Sequence, residues 1–365
     1  MLRTEDLGEL FLMELEGDRW SPGLEKRLRK LHPGGIIFAP QNLRAPDSTT
    51  ELLTKIARAL DFRPILALEE EGGAVDPLGK IFHGLPSPQT VSQRGPEAAL
   101  KLGELAGAGL KLLGFNTNFA PRLDLLNPMD KTSLHSQSFG SEHQVVTRCG
   151  AAFVRGLKPH GILACGKYFP GHGDARPDRD TGLCLSSKPM ARMWREDLEP
   201  YLKLLRQLTL VMVSHRAYKA YDFDVALPAS LSANVLEGLL RVKLDYRGVA
   251  LVEPFVTSGT KARTIPPLAS GETQEGGSLN PEAGVKSIAA GADMVVVRGG
   301  EKAFERAAEN LSKALEAGTI AEQRVGDALK RIRRARKNIP PPTGKFSRNA
   351  FERLCREFER FSQEF

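Results

Sequence analysis

The chain is poor in the residues that mark several common functions. It has only four cysteines in 365 residues, Cys149, Cys165, Cys184 and Cys355. None forms a CxxC pair or stands at metal-ligand spacing, so a metal centre and other cofactors are not expected. Aromatic residues make up 7% of the chain, with two tryptophans, and they do not interleave with its basic run. That excludes a stacking platform for single-stranded nucleic acid. No apolar run approaches the ~20 residues of a membrane span. The N-terminal segment "MLRTEDLGELFLMELEG" has neither the basic start, the continuous apolar stretch nor the small-residue cleavage site of a secretory signal. A soluble, cytoplasmic protein with no membrane partner is expected. The glycines of "EEEGGAVDPLG" open no GxGxxG or Walker pattern, so nucleotide binding is not indicated. No repeat of solenoid length is present.

What the chain does have is enough apolar material, 41%, for a sizeable core, and an ordinary 26% of charged residues. Its length is above the usual single-domain ceiling of ~250–300 residues but within the range of an α/β barrel with insertions. The net charge of +7 is concentrated in "KRIRRARKN", Lys330 to Asn338, on a late helical stretch. Such runs are usually solvated helix faces, and no nucleic-acid partner is expected.

Seven apolar segments read as buried strands: Gly34 to Pro40, Arg63 to Gly73, Gly114 to Asp124, Gly161 to Phe169, Leu208 to His215, Gly248 to Phe255 and Ala292 to Gly299. Helical patterns such as "PEAALKLGELAGAGLKLLG" and "EHQVVTRCGAAFVRGLKPH" separate them, which implies parallel βαβ units. The fold class is therefore α/β, a (β/α)8 TIM-like barrel, with a doubly wound open sheet as the alternative. The barrel is favoured because polar residues collect at the ends of many strands: Glu69 to Glu71, Asn118, Asp124, Lys167, His172, Ser214, His215 and Glu253. An open sheet would gather them at one switch point. The barrel is expected over residues 1–338 and a proline-led tail over 339–365. The tail ends in an amphipathic helix carrying Phe351, Leu354, Phe358 and Phe361 on one face. That face packs on the barrel or, as second choice, makes a dimer, so a monomer or weak homodimer is expected. Thr257 to Pro281, rich in Gly, Ser, Thr and Pro, is a lid or a disordered loop.

The densest polar stretch is "GKYFPGHGDARPDRDTGL", Gly166 to Leu183, which empties from a strand into a Gly-rich loop. Together with "GGIIF", "EEEGG", "GFNTNFAPRLD", "SFGSE", "MVSH", "PASLS", "RGVALVEPF" and "AAGADMVVV", in that order, it resembles glycoside hydrolase family 3. Within that family the chain is similar to the single-domain bacterial β-N-acetylglucosaminidases (β-hexosaminidases), over about residues 5 to 335. The resemblance implies retaining hydrolysis of a terminal β-linked amino sugar, with a carbohydrate substrate and no cofactor. That chemistry needs a carboxylate nucleophile and an acid that protonates the leaving oxygen.

Carried onto this chain residue by residue, the family's pattern meets several departures. Glu253 stands where the family has its nucleophilic aspartate and adds one methylene; a displacement of about 1 Å can cost ~10²-fold in rate. In the acid/base loop the aspartate is kept as Asp178, while the histidine two residues on is Asp180. Paired carboxylates raise one pKa and Arg179 opposes the effect, so an acid at Asp180 and an inert acidic loop both stay open. The expected sugar-binding residues are Glu69, Lys167, Tyr168, Gln137 and His172. Glu69, Gln137 and Tyr168 replace an aspartate, an arginine and a histidine of the family pattern, and Ala74 replaces another arginine. Lys167 is kept; a buried lysine beside carboxylates must be paired, so it is expected to face the pocket and donate to hydroxyls. His172 is expected chiefly to tie its loop to the barrel. Ser214 and His215 are neighbours on a strand and point to opposite faces, so they cannot act as nucleophile and base. Two readings follow: an active glycosidase using Glu253, Asp180 and Asp178, or a catalytically impaired relative that binds a glycan or a protein partner.

Overall fold

A computed structural model describes residues 3–126, 136–177, 183–253, 256–257, 278–279, 281–342 and 345–365. Eight parallel strands close into a barrel: β1 (Phe11–Glu14), β2 (Gly35–Ile37), β3 (Ile65–Leu68), β4 (Thr117–Asn118), β5 (Leu163–Phe169), β6 (Leu210–Val213), β7 (Val249–Val252) and β8 (Met294–Val297). The last strand pairs with the first, Phe11 opposite Val295 and Met13 opposite Val297. Strands β2 to β8 fall inside the seven expected segments. The one not anticipated is β1, which lies in the N-terminal segment. Its Leu, Met and Glu are good helix formers, so propensity conceals it. Burial decides the matter: Phe11 and Leu12 are fully enclosed between β2 and β8.

Helices wrap the barrel with their apolar stripes inward. The helices Pro96–Leu113 and His143–Leu157 approach so closely that glycine is required at the crossing. A Cβ on Gly103 would lie 2.2 Å from Phe153 O, and one on Gly156 would lie 2.4 Å from Leu100 O. In the tail helix Arg348–Ser362, Leu354, Phe358 and Phe361 are buried against the barrel, the first of the two uses expected for that face. Phe358 stacks on Phe82 with ring centroids 4.8 Å apart.

The basic run is in part the solvated face expected of it and in part an anchor. On the helix Glu322–Lys337, Lys330 is 78% exposed, but its neighbours turn to acids at the N-terminal end of the barrel. Arg333 Nη2 donates to Glu9 Oε1 at 2.6 Å, and Arg336 also pairs with Glu9. Arg331 Nε donates to Asp293 Oδ1 at 2.9 Å, Arg324 joins it at 3.1 Å, and Arg241 holds Oδ2 at 2.5 Å. Arg331, Arg333 and Arg336 of the run fasten this helix beneath β8 and β1, while Lys330, Arg334 and Lys337 stay exposed. These three pairings were unreadable because the partners lie 38 to 327 residues away along the chain.

Asp178 and Asp180, and all of the 257–281 stretch except its short ends and Pro281, lie outside the described residues. Where that stretch begins and ends, Val256–Thr257 pairs antiparallel with Ser278–Leu279.

Asp293 is fully buried among three arginines. Replacing it by Asn strands partly buried guanidinium charges, which costs about 3–5 kcal/mol. Urea unfolding of Asp293→Asn should show that loss; a loss under about 1 kcal/mol would mean the cluster does not fasten the barrel.

Candidate active site

The C-terminal ends of the strands place a ring of charged side chains at one mouth. After β3 the chain runs Glu69, Glu70, Glu71 and then turns through Gly72 and Gly73, whose φ values of 84° and 62° are strained for any other residue. Glu70 is buried and holds this turn, accepting from Gly72 N at 3.0 Å and Leu78 N at 2.9 Å. Asn118 at the end of β4 fixes the Glu70 backbone, accepting from its N–H at 2.9 Å and donating to its carbonyl at 2.8 Å. Burial, reinforced by Asp76, holds the Glu70 carboxyl well above the usual range.

On β5, Lys167 is 1% exposed and paired to Glu69 and, at 3.2 Å, to Glu71. Burial pushes its ammonium toward neutrality, but the two glutamates reverse this and keep it charged. Pairing with β6 slips between Lys167 and Phe169, leaving Tyr168 outside the ladder. The Tyr168 ring lies parallel to His172 with centroids 4.9 Å apart. His172 N donates to Asp124 Oδ1 at 2.8 Å, and Arg122 Nε donates to Asp124 Oδ2 at 2.8 Å. Although burial raises the Asp124 carboxyl, His172 and Arg122 outweigh it and hold the group below its usual value.

Glu253 stands immediately after β7 with its side chain 25% exposed. Arg298, immediately after β8, donates to it from Nε at 3.0 Å and again from Nη2, and reaches Glu14 on β1 at 2.6 Å through Nη1. Burial raises the Glu253 carboxyl, but Arg298 outweighs it, helped by His215 and Lys167, so it titrates below the ordinary glutamate value. Burial lowers His215 to about 4 against the pull of Glu253, so this imidazole is neutral at pH 7. Lys167 and Glu253 sit on strands with only β6 between them, and Tyr168 lies in the field of both Glu69 and Glu253. The mouth thus joins a charged grip, Lys167 with Glu69, to an ionised carboxylate across one strand.

Residues 3–335 match the model of the glycosyl hydrolase family 3 N terminal domain. The chain belongs to this family. It is 31% identical to a beta-hexosaminidase of Alkalilimnicola ehrlichii over 282 residues, covering 74% of this chain and 79% of that protein. It is 25% identical to beta-hexosaminidase A of Pseudoalteromonas piscicida over 87% of this chain, but spans only 56% of that relative's length. Among solved structures it is similar to a family 3 beta-N-acetylglucosaminidase from Paenibacillus sp. str. FPU-7, with 27% identity, a TM-score of 0.81, and coverage of 99% of this chain and 69% of that one.

Of the residues expected at this family 3 site, Glu69, Lys167, Tyr168, His172 and Glu253 come together at the mouth. Two of the expected residues lie deeper than the sequence suggests. Lys167 does not face the pocket openly: it is buried beneath Glu69, whose side chain is 36% exposed and presents the grip to the mouth. Gln137 is 1% exposed. In the orientation that matches donors to acceptors, its amide donates to Gly72 O at 3.2 Å and Glu71 Oε2 at 3.1 Å, and accepts from Ala74 N at 2.9 Å and Val75 N at 3.3 Å. It holds the Glu69–Val75 turn from behind. His172 ties its loop to Asp124, as expected. Ser214 and His215 have separate partners: the Ser214 hydroxyl accepts from Arg216 N at 3.0 Å, and His215 Nδ1 lies 2.9 Å from Ser230 Oγ.

Sequence reasoning missed Arg298, Glu14 and Arg122. Arg298 directly follows the apolar run "ADMVVV" and was legible as a strand-end residue. Glu14 required β1 to be recognised. Arg122 lies two residues before Asp124, within "NFAPRLD", and only the fold shows it bridging to His172 at 3.3 Å.

Gln137→Leu removes four hydrogen bonds from a buried turn and should destabilise the protein by about 2–3 kcal/mol while raising KM through Glu69. Thermal unfolding and steady-state kinetics read both. Unchanged stability with a raised KM would place Gln137 on the substrate instead.

Proposed function

We propose that this chain is a retaining glycosidase that releases a terminal β-linked N-acetylhexosamine, acting on cell-wall type glycans. The names of its relatives support the substrate class. The observation that carries the reading is Glu253: an ionised, partly exposed carboxylate at a strand end, one strand from the Lys167–Glu69 grip.

In the proposed reaction Glu69, backed by Lys167, accepts from sugar hydroxyls, with Tyr168 alongside. A Glu253 oxygen attacks the anomeric carbon as the glycosidic C–O bond breaks. The bonding pair goes to the leaving oxygen, which takes a proton from Asp180, supported by Asp178. Water then attacks the anomeric carbon and gives its proton back to Asp180. The C–O bond of the glycosyl ester breaks, and its electron pair returns to the Glu253 carboxylate. Three of the four cysteines are buried, and the proposed location is the cytoplasm, where thiols stay reduced. Among the described residues no helix is long and apolar enough to cross a membrane.

One observation favours the second reading, an impaired glycan-binding relative. A guanidinium on a carboxylate lowers its basicity and, in the ground state, competes with the anomeric carbon for it.

Hydrolysis of an aryl N-acetyl-β-glucosaminide followed by proton NMR should give the β-anomer first. Glu253→Gln and Asp180→Asn should each lower kcat, the former by about 10³-fold or more. Initial formation of the α-anomer would rule out the retaining route. Binding of the amino sugar with no turnover of any glycoside would establish the impaired relative.

A further inference from the structure

One guanidinium joins the ends of β7, β8 and β1. Arg298 directs two donors, Nε at 3.0 Å and Nη2 closer still, onto a single oxygen of Glu253, Oε1. Its third arm, Nη1, goes to Glu14 Oε1 at 2.6 Å. This is not the fork-to-fork pair in which a guanidinium occupies both carboxylate oxygens. Both Arg298 contacts fall on Oε1 and neither on Oε2. Competition from Arg298 therefore falls on one oxygen of the carboxylate.

We propose, resting on the assignment of Glu253 as nucleophile, that Arg298 is a positioning residue: it immobilises Glu253 through Oε1, leaves Oε2 as the attacking atom, and is itself anchored by Glu14. A glutamate at a strand end has one more rotor than an aspartate. Unheld, it would spread the attacking oxygen over several positions, and misplacement by about 1 Å costs ~10²-fold. Holding Oε1 removes that freedom. The same contact serves both steps. When the Oε2–anomeric carbon bond forms, Oε1 becomes the ester carbonyl and stays on Arg298. When water displaces the sugar, the electron pair returns to the carboxylate, and the charge gathering on Oε1 meets a fixed cation. Glu14 keeps the guanidinium from following substrate out of the mouth.

Among the described residues the groups facing Glu253 are few. Arg298 comes from β8, His215 from beyond β6, and Lys167 and Tyr168 from β5, with Glu14 reaching it through Arg298. Of these, Arg298 is the one whose side chain donates to the carboxylate in the described residues.

The test compares wild type, Arg298→Met, Arg298→Lys and Glu14→Gln. Each is checked for folding by thermal unfolding, then read by the pH dependence of kcat/KM and by carboxyl ¹³C NMR titration, with the Glu253 resonance assigned from Glu253→Gln. In Arg298→Met the Glu253 midpoint and the acid limb of kcat/KM should both move up by about one unit or more, because the opposite charge is gone. Plateau kcat should fall at least about tenfold with KM little changed. Arg298→Lys keeps the charge but not the fork, so the limb should stay in place while kcat still falls. Glu14→Gln should lower kcat less, in the same sense. A folded Arg298→Met with wild-type kcat and limb overturns the inference, as does full recovery of kcat in Arg298→Lys, or loss of stability in all variants with no movement of the Glu253 midpoint. Glu253→Gln separates the two layers. If it is inactive while Arg298→Met is indifferent, only the role of Arg298 fails. If it turns over like wild type, or if wild type itself is inert, the nucleophile assignment fails and takes this inference with it.

Discussion

Closure of β8 onto β1 is the constraint on which the rest of the structure depends. A parallel strand left at an edge would expose its ladder and let the mouth open. Here Phe11 to Met13 meet Val295 to Val297, and ion pairs pin the seam at both ends. Below, Glu9 takes Arg333 and Arg336 from the last barrel helix. Above, Glu14 of β1 and Glu253 after β7 share Arg298 after β8. The apolar core supplies most of the free energy, but it is indifferent to direction. The paired charges at the seam set where each strand end stands, and so where the carboxylates at the mouth point.

The mouth follows one rule throughout: a charge taken from water is matched, and the match leaves one group at the surface. Lys167 is enclosed by Glu69 and Glu71, and Glu69 stays at the mouth. Asp124 is enclosed by Arg122 and the His172 backbone, and the ring of His172 stays to support Tyr168. Environment then sorts the carboxyls into two kinds. Burial lifts Glu70 and Glu71 above their usual range, despite Lys167 beside the latter. Cationic partners outweigh burial at Asp124 and Glu253 and depress them. A glycosidase needs such a division, because one carboxylate must stay ionised to attack.

Much of this was legible in the chain. Strands β2 to β8 announce themselves as β-branched or apolar runs ending in polar residues, and the ordered motifs from "GGIIF" to "AAGADMVVV" carry the family. Glu69 and Glu253 were readable because each directly follows such a run, and Lys167 and His172 because they stand in the "GKYFPGHGD" motif. What escaped did so for definite reasons. Strand β1 is written in helix-forming residues and is a strand only because two neighbours bury it. Gln137 reads as a pocket residue by its place in a motif, whereas its amide satisfies a turn some 65 residues earlier. The basic run resembles a solvated face because its acids come from the other end of the chain. Arg298 was visible as a residue but not as a partner, since nothing local says that β1, β7 and β8 converge.

The account stands on Glu253 being the atom source of the covalent bond to sugar. The most direct measurement is to trap the intermediate with a 5-fluoro glycosyl fluoride of the 2-acetamido-2-deoxy sugar and locate the adduct by peptide mass spectrometry. The account predicts a single glycosyl ester on the peptide containing Glu253, at the glutamate itself. An adduct on Glu69 or on the Asp178–Asp180 segment, or continued turnover with no adduct anywhere, would contradict it.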